Sequence, residues 1–436
     1  MRIAITAAEA SGDRVAGQLA TELKRLSPEC EIYGSGGSWL REAGGEVIVD
    51  ASAFGVIGLA AGLKLLPKML AARQRLLAEL KSRPPDVLIP IDAGAFHLGI
   101  GPIQGLVPWA RKNLPKTKIL YYFPPGSWHK TLRYTPLKDL VDAVASPFPW
   151  NASELNRLGV RAELVGHPLL DLVHPSQSLE TFAKHYGLDM DKPLVGLVPG
   201  SRTQEIETIL PLQLAAAAQI AQRIPGVQFL IALAPSVDRG KVEAAIQHAR
   251  QLLHVVKVAE KPPRQNTPRA ILAEGNPEEL ARRQRQWIEH SQSPRTATPQ
   301  FPPIAIVENG TYDVLAAADA LICKSGTTTL EAAILGKPMV IVYKLSQANL
   351  LQLAVIRKSL PKFIGMPNLI ADKEICRELL QENATPEKIA AEIVGLLLDP
   401  DRIARMRGDL AEVRAQLGEP GGAERTARLA LSLVSP

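Results

Sequence analysis

Residues Lys324-Ser325-Gly326-Thr327-Thr328-Thr329-Leu330-Glu331 have the composition of an anion cradle. They follow an apolar run and lead into a helical pattern over 330–335 that stops at Gly336-Lys337-Pro338. The first N–H groups of a helix lack intrahelical partners, so a glycine and small hydroxyl residues at that end can receive an anion. The helix dipole adds about 0.3–1 kcal/mol for a nearby negative charge. Simple N-capping is the alternative, but capping needs one hydroxyl, and Ser325, Thr327, Thr328 and Thr329 are all present. Glu331, one turn in, is spaced to reach ribose hydroxyls rather than phosphate.

Three further loops follow apolar runs. In Pro199-Gly200-Ser201-Arg202, Gly200 permits close backbone approach, Ser201 can donate, and Arg202 can grip a diphosphate with two N–H groups. Asp92, in Ile91-Asp92-Ala93-Gly94-Ala95-Phe96-His97, ends an apolar run, where a carboxylate can take a proton from an attacking hydroxyl. Its alternative is to cap the next segment. Ala8-Glu9-Ala10-Ser11-Gly12-Asp13 lacks the G-x-G-x-x-G spacing of a dinucleotide loop, and Ser11 or Asp13 can equally cap the helix that follows.

These loops must be held by alternating strands and helices. Apolar runs read as strands at 1–6, 47–49, 86–91, 118–123 and 143–146, with helical periodicity at 14–26, 68–80 and 152–158. The pattern restarts with a strand at 194–198 and a helix at 203–223, then strands at 227–233, 304–307, 320–323 and 339–343. Short apolar strands separated by amphipathic helices predict α/β architecture, with two doubly wound, Rossmann-like parallel-sheet domains facing a central cleft. In such sheets ligands bind beyond the carboxyl ends of the strands. The domains are expected at 1–172 and 190–400, joined through His174-Pro175-Ser176-Gln177. Residues 401–436 are expected to form helices that pack back towards the first domain. A polar stretch at 257–303, with Arg282-Arg283-Gln284-Arg285 and a short helix expected at 277–290, reads as an insertion.

At 436 residues, with 46% hydrophobic and 22% charged residues, the composition is that of a globular protein. The net charge of +6 favours anionic partners, while 5% aromatics without interleaved basic stretches argue against a nucleic-acid platform. Cys30, Cys323 and Cys376 have no metal-ligand spacing, no Asp-rich or His-rich constellation appears, and no metal or cofactor is expected. Residues 1–6 enter a strand directly, without a signal-peptide pattern, so a cytoplasmic location is expected.

Taken in order, these loops resemble the lipid-A-disaccharide synthase family, inverting glycosyltransferases of the GT-B fold. The resemblance rests on Glu9-Ala10-Ser11-Gly12-Asp13, Pro85-Asp86 leading to Ile91-Asp92-Ala93, Tyr121-Tyr122, and Gly166-His167-Pro168 with Leu169 and Asp171. It continues through Pro199-Gly200-Ser201-Arg202, Ser325-Gly326-Thr327 with Leu330-Glu331, Pro338-Met339-Val340, Met366-Pro367-Asn368-Leu369 and Glu378-Leu379-Leu380-Gln381. It implies transfer of diacylglucosamine from its UDP derivative to the 6-hydroxyl of diacylglucosamine 1-phosphate, without a metal. Asp92 and Glu9 are then the candidate catalytic residues, with Asp92 as general base. Gly200, Ser201, Arg202, Ser325, Gly326, Thr327, Thr328 and Glu331 are the candidate UDP-sugar contacts, and Ser11, His97 and Trp128 lie on the acceptor side.

The chain departs from the family pattern at Gly94, Ala95 and His97, where Pro, Asp and Asn are usual. It departs again at Pro124-Pro125-Gly126-Ser127-Trp128-His129-Lys130, where a second Trp is lost. Both changes fall in the expected acceptor domain. The apolar stretch 55–66, followed by Lys68, Arg73 and Arg75, reads either as a peripheral contact with an anionic membrane or as an ordinary buried helix. The competing readings of function are a related glycosyltransferase with another lipid acceptor, a UDP-sugar epimerase-type protein, and a non-catalytic UDP-sugar binding protein.

Overall fold

The computed structural model describes residues 1–51, 59–100, 103–127, 137–255, 301–345 and 362–434. The chain forms two compact units, Met1–Leu172 with Ala415–Pro436, and Val173–Arg414. The insertion expected at 257–303 lies outside the described residues, apart from 301–303.

In the first unit the strands are β1 (Arg2–Thr6), β2 (Glu31–Gly36), β3 (Glu46–Asp50), β4 (Val87–Pro90), the short antiparallel pair β5 (Gly99–Ile100) and β6 (Ile103–Gln104), β7 (Lys118–Tyr122), β8 (Ala143–Ser146) and β9 (Ala162–Leu164). All but β5 and β6 form one parallel sheet in the order β3-β2-β1-β4-β7-β8-β9. Alternate residues serve opposite layers, which is why these strands are apolar throughout. Ile3, Ile5, Val87, Ile89 and Leu120 pack with Leu19 and Leu23 of the helix Ala10–Leu26 and with Ala427 and Ala430 of the helix Gly422–Ser432. Ala4, Leu88, Ile119 and Tyr121 pack with Leu76 and Leu80 of the helix Leu59–Ser82 and with Leu106 and Ala110. Truncating a fully buried residue such as Leu19 to Ala costs about 2–5 kcal/mol.

Strand β2 was not among the expected strands, since Gly34 and Gly36 interrupt its apolar pattern. Gly34 sits in the sheet at φ +148, where a Cβ would overlap the Ile5 carbonyl, so the residue serves close strand approach. Strand β9 has only three residues, too few to show a periodicity.

The second unit carries β10 (Leu194–Val198), β11 (Gln228–Leu233), β12 (Ile304–Glu308), β13 (Ala320–Lys324), β14 (Met339–Tyr343) and β15 (Glu378–Leu380), all parallel, in the order β12-β11-β10-β13-β14-β15. The segment at 174–177 docks on this unit: the Asp313 carboxylate accepts from the Ser176 N–H and hydroxyl, both at 2.8 Å, and from the Gln177 N–H at 3.3 Å.

The return to the first unit occurs at 414/415, not at 401. The helix Pro400–Ala415 stays with the second unit because its apolar face, Ile403, Met406, Leu410 and Val413, is buried there, and Met406 Sδ accepts the Met339 N–H at 3.4 Å. The helix Gly422–Ser432 does join the first unit. The Asp171 carboxylate accepts from the N–H groups of Gly421 at 2.6 Å and Gly422 at 3.0 Å, capping that helix, and Arg425 donates twice to the Val165 carbonyl. Among the described residues, no helix is long and apolar enough to cross a membrane.

Each sheet starts at a central strand and winds first one way and then the other. The reversal opens a crevice between β1 and β4 in the first unit and between β10 and β13 in the second, at the carboxyl ends where ligands bind in this architecture. The Glu9 and Asp92 loops follow β1 and β4, and the Gly200 and Ser325 loops follow β10 and β13.

Candidate active site

At the β1/β4 crevice the chain makes an uncommon turn. Asp92 and Ala93 take φ values of 47° and 48°, consecutive left-handed positions without a glycine. Each costs roughly 1–2 kcal/mol, so the surroundings must hold them. The Asp92 N–H donates to the Tyr122 carbonyl at 3.2 Å. Its own carbonyl accepts from His97 Nδ1 at 2.7 Å and from the Tyr121 hydroxyl at 2.8 Å. The turn leaves the Asp92 carboxylate half-buried and facing the charge of Glu9. Burial first, and then Glu9, push the Asp92 carboxyl up to about 6, against the opposing pull of the Ala93 N–H. Asp92 does not cap the following segment: the N-cap of the helix Gly94–His97 is Ala93, and it has no side-chain cap. A carboxyl with proton affinity near neutrality, next to a second carboxylate, is equipped for general acid–base work.

Glu9 is the exposed N-cap residue of the helix Ala10–Leu26, and Ser11 is exposed in its first turn. Asp13 caps a different helix, accepting from the N–H groups of Gly37, Trp39 and Leu40 at the start of Ser38–Glu42. His97 corrects its expected place on the acceptor side. It is fully buried beneath the turn, and burial holds its ring down to about 4, so it is neutral and cannot touch an acceptor. Trp128 lies outside the described residues. The departures at 94 and 125 meet in space: a Cβ on Gly94 would come within 2.7 Å of Pro125 Cγ.

At the β10/β13 crevice, Glu205 ties the two loops together. Its Oε2 accepts the Ser201 N–H at 2.9 Å, and its Oε1 lies 2.7 Å from Lys324 Nζ and 3.5 Å from Arg202 Nη1. Burial alone would raise the Glu205 carboxyl, but the charge and hydrogen bond of Lys324, then Ser201 N–H and Arg202, bring it below the usual range. Gly200, at φ +119, has no room for a Cβ beside the Glu205 side chain. The Arg202 side chain, 37% exposed, reaches solvent from this cluster.

The helix after β13 starts at Thr327, three residues earlier than the sequence pattern implied, with Gly326 as N-cap. Thr327 and Thr328 therefore occupy its first turn, exposed and half-buried respectively. Ser325 and Thr329 brace the loop from inside: the Ser325 hydroxyl donates to the Ile364 carbonyl at 3.0 Å, and the Thr329 hydroxyl to the Gly326 carbonyl at 2.7 Å. The Glu378 carboxylate in turn accepts from the N–H groups of Ile364 and Gly365. Glu331 is buried, and its Oε1 accepts from the Tyr312 hydroxyl at 3.0 Å.

Sequence reasoning passed over Glu205, and it quoted Lys324, Tyr121 and Glu378 without giving their side chains a role. Glu205 and Lys324 left a signal of these roles. Glu205 is the third helical residue after an Arg202 N-cap, the spacing from which a Glu reaches back to free N–H groups, and Lys324 is a charge closing an apolar strand. Among the described residues, no three His, Cys, Asp or Glu side chains cluster as metal ligands.

A family model described as lipid-A-disaccharide synthetase matches residues 3–264 and 281–433. The lipid-A-disaccharide synthase of Trichlorobacter lovleyi is 35% identical, over 99% of this chain and 97% of its own length. The chain belongs to the lipid-A-disaccharide synthase family. It is a glycosyltransferase of lipid A biosynthesis, which implies a UDP-sugar donor and a lipid acceptor. The gap in the family match, 265–280, falls inside the polar stretch expected as an insertion.

Solved structures agree on the fold. UDP-GlcNAc 2-epimerase from Neisseria meningitidis aligns with a TM-score of 0.55 at 12% identity, covering 100% of this chain and 99% of its own. Acinetobacter baumannii MurG aligns with a TM-score of 0.50 at 16% identity, covering 99% of each chain. The two parallel-sheet domains of this lipid-A-disaccharide synthase family member are those of GT-B glycosyltransferases.

Proposed function

We propose that the protein transfers diacylglucosamine from UDP-diacylglucosamine to the 6-hydroxyl of diacylglucosamine 1-phosphate, giving a β-1,6-linked disaccharide and UDP. The observation that carries this reading is the Asp92 carboxyl at the β1/β4 crevice, presented after β4 by the left-handed Asp92–Ala93 turn and facing Glu9. Asp92 takes the proton from the acceptor hydroxyl as its oxygen bonds to the anomeric carbon. The bond from that carbon to the UDP oxygen breaks, its electron pair leaves on the diphosphate, and the anomeric centre inverts. A positioned base of this kind is worth roughly 10²–10⁴ in rate.

The leaving diphosphate is met by Arg202 and by the first-turn N–H groups of Thr327 and Thr328, with Gly200, Ser201, Ser325 and Gly326 shaping the loops and Glu331 serving the ribose. Fixed positive charge and N–H dipoles of this type stabilise a leaving anion without a metal. Glu9 supports Asp92 by keeping its proton affinity high. Ser11 and Trp128 are assigned to the acceptor side. A peripheral contact with the inner face of the cytoplasmic membrane, through 55–66 and the basic residues Lys68, Arg73 and Arg75, would bring acylated substrates to the first unit; it is supported by the sequence pattern alone.

The test is UDP release from UDP-diacylglucosamine with and without the acceptor. Release that depends on diacylglucosamine 1-phosphate supports the transfer, and equal release in both reactions rejects that acceptor.

A further inference from the structure

The Asp92 turn is held from beneath by a side chain that no part of the transfer chemistry uses. His97 is fully buried, and the Asp92 carbonyl 2.7 Å from its Nδ1 can only accept, so Nδ1 is the donor. Burial keeps the ring neutral, so its Nε2 accepts from the Thr6 hydroxyl at 3.0 Å. The Tyr121 hydroxyl donates to the same carbonyl at 2.8 Å, and the Tyr121 ring meets the imidazole edge-on at 5.8 Å. Thr6 closes β1, Tyr121 belongs to β7, and Asp92 follows β4, so the clamp joins the central strands of the sheet to the turn that carries Asp92.

We propose that His97 is a positioning residue: with Tyr121 it clamps the Asp92 carbonyl, holds the left-handed Asp92–Ala93 turn, and thereby aims the Asp92 carboxylate at the acceptor hydroxyl. This rests on the reading of Asp92 as the base. Two donors on one carbonyl, opposite two consecutive unfavourable backbone positions, are what such a turn needs to persist. Release of the clamp lets Asp92 relax towards ordinary backbone angles, and a carboxylate misplaced by about 1 Å costs on the order of 10²-fold in rate.

The test compares H97L, H97N, Y121F and D92N in the full chain, with UDP-diacylglucosamine and diacylglucosamine 1-phosphate as substrates. H97L, which keeps bulk but has no donor, is expected to lower kcat by at least about 30-fold with the donor KM within about threefold, because the base is displaced and not the donor loops. H97N, whose amide can donate from the position of Nδ1, is expected to recover kcat to within about fivefold of the parent. A purely structural role would lower the folded fraction without this kcat-against-KM split or the rescue.

Folded H97L with parental kcat, or H97N as slow as H97L, overturns the inference. If H97L does not fold, Y121F decides: it removes the second donor, and a parental kcat overturns the clamp. D92N separates the two layers. Full activity in D92N removes the base assignment and the clamp with it, whereas an inactive D92N beside parental H97L or Y121F removes the clamp alone.

Discussion

Glu205 Oε1 lies 2.7 Å from Lys324 Nζ, and this ion pair links the first turn of the helix after β10 to the carboxyl end of β13 in the second unit. Both side chains are only 16% exposed, so neither charge is well screened by water. Removing one partner strands the other. K324M leaves the Glu205 carboxylate facing an incoming diphosphate, and UDP affinity is expected to fall at least about tenfold, since each 1.4 kcal/mol is a factor of ten. The double variant E205Q/K324M, with no stranded charge, is expected to recover part of that loss. Calorimetric titration of UDP into the parent, K324M, E205Q and the double variant measures the coupling, and additive losses would contradict it.

Asp92 should trade stability for function. Its folded carboxyl sits at about 6, above the ordinary aspartate value of 3.8. Below 3.8 the group is protonated folded or unfolded and costs nothing. As pH rises through about 6 the folded protein must carry a half-buried charge, and stability is lost. D92N is therefore expected to be about 1–3 kcal/mol more stable than the parent at pH 8, the range being discounted for partial exposure, and equally stable below pH 4. Turnover should vanish while UDP binding persists, and the parent's kcat/KM should fall on an acid limb near pH 6. Urea titrations at the two pH values, with rates across the range, check all of these.

His167 titrates in the opposite sense. It is fully buried against Phe123 and Phe148, its Nδ1 accepts the Leu169 N–H at 3.2 Å, and burial holds its ring down to about 3. The unfolded chain takes up this proton near 6.5 and the folded one does not, so stability present above 6.5 is lost as pH falls towards 3. H167N keeps an acceptor for Leu169 and removes the titration. The slope of unfolding free energy between pH 4 and 6 should fall by about one proton in that variant; an unchanged slope would show that His167 is protonated in the folded state.

Asp171 fastens the last helix. Its carboxylate caps Gly422–Ser432, whose Ala427 and Ala430 are buried in the core of the first unit. D171A is expected to cost about 1–2 kcal/mol and D171N less, since an amide oxygen still accepts. Denaturant midpoints give the magnitude, and faster hydrogen exchange at Ala427–Ala430, relative to β1, locates it.

Much of this architecture was legible because chemistry and periodicity coincided. β10, β14 and the helix Thr203–Arg223 matched their apolar patterns, and the four loops lay at strand ends. Strand β2 was hidden because Gly34 serves backbone approach to Ile5, a tertiary constraint that looks like turn chemistry. Helix starts at Ala10 and Thr327 were hidden because neither has a side-chain cap to announce it. Asp92 could be read as a carboxylate at a strand end. Its clamp could not, since His97 and Tyr121 lie 5 and 29 residues away and act on a backbone carbonyl. Glu205 was overlooked for a similar reason: the Lys324 it pairs with comes from a distant element, the end of β13.

The most direct test is mass spectrometry of the product formed by the purified protein from UDP-diacylglucosamine and diacylglucosamine 1-phosphate. The transfer proposed for Asp92 predicts a tetraacyl disaccharide monophosphate, with one UDP released for each molecule formed and no such product from D92N. Donor hydrolysed to the free sugar, or both substrates recovered unchanged beside tightly bound UDP, would contradict it.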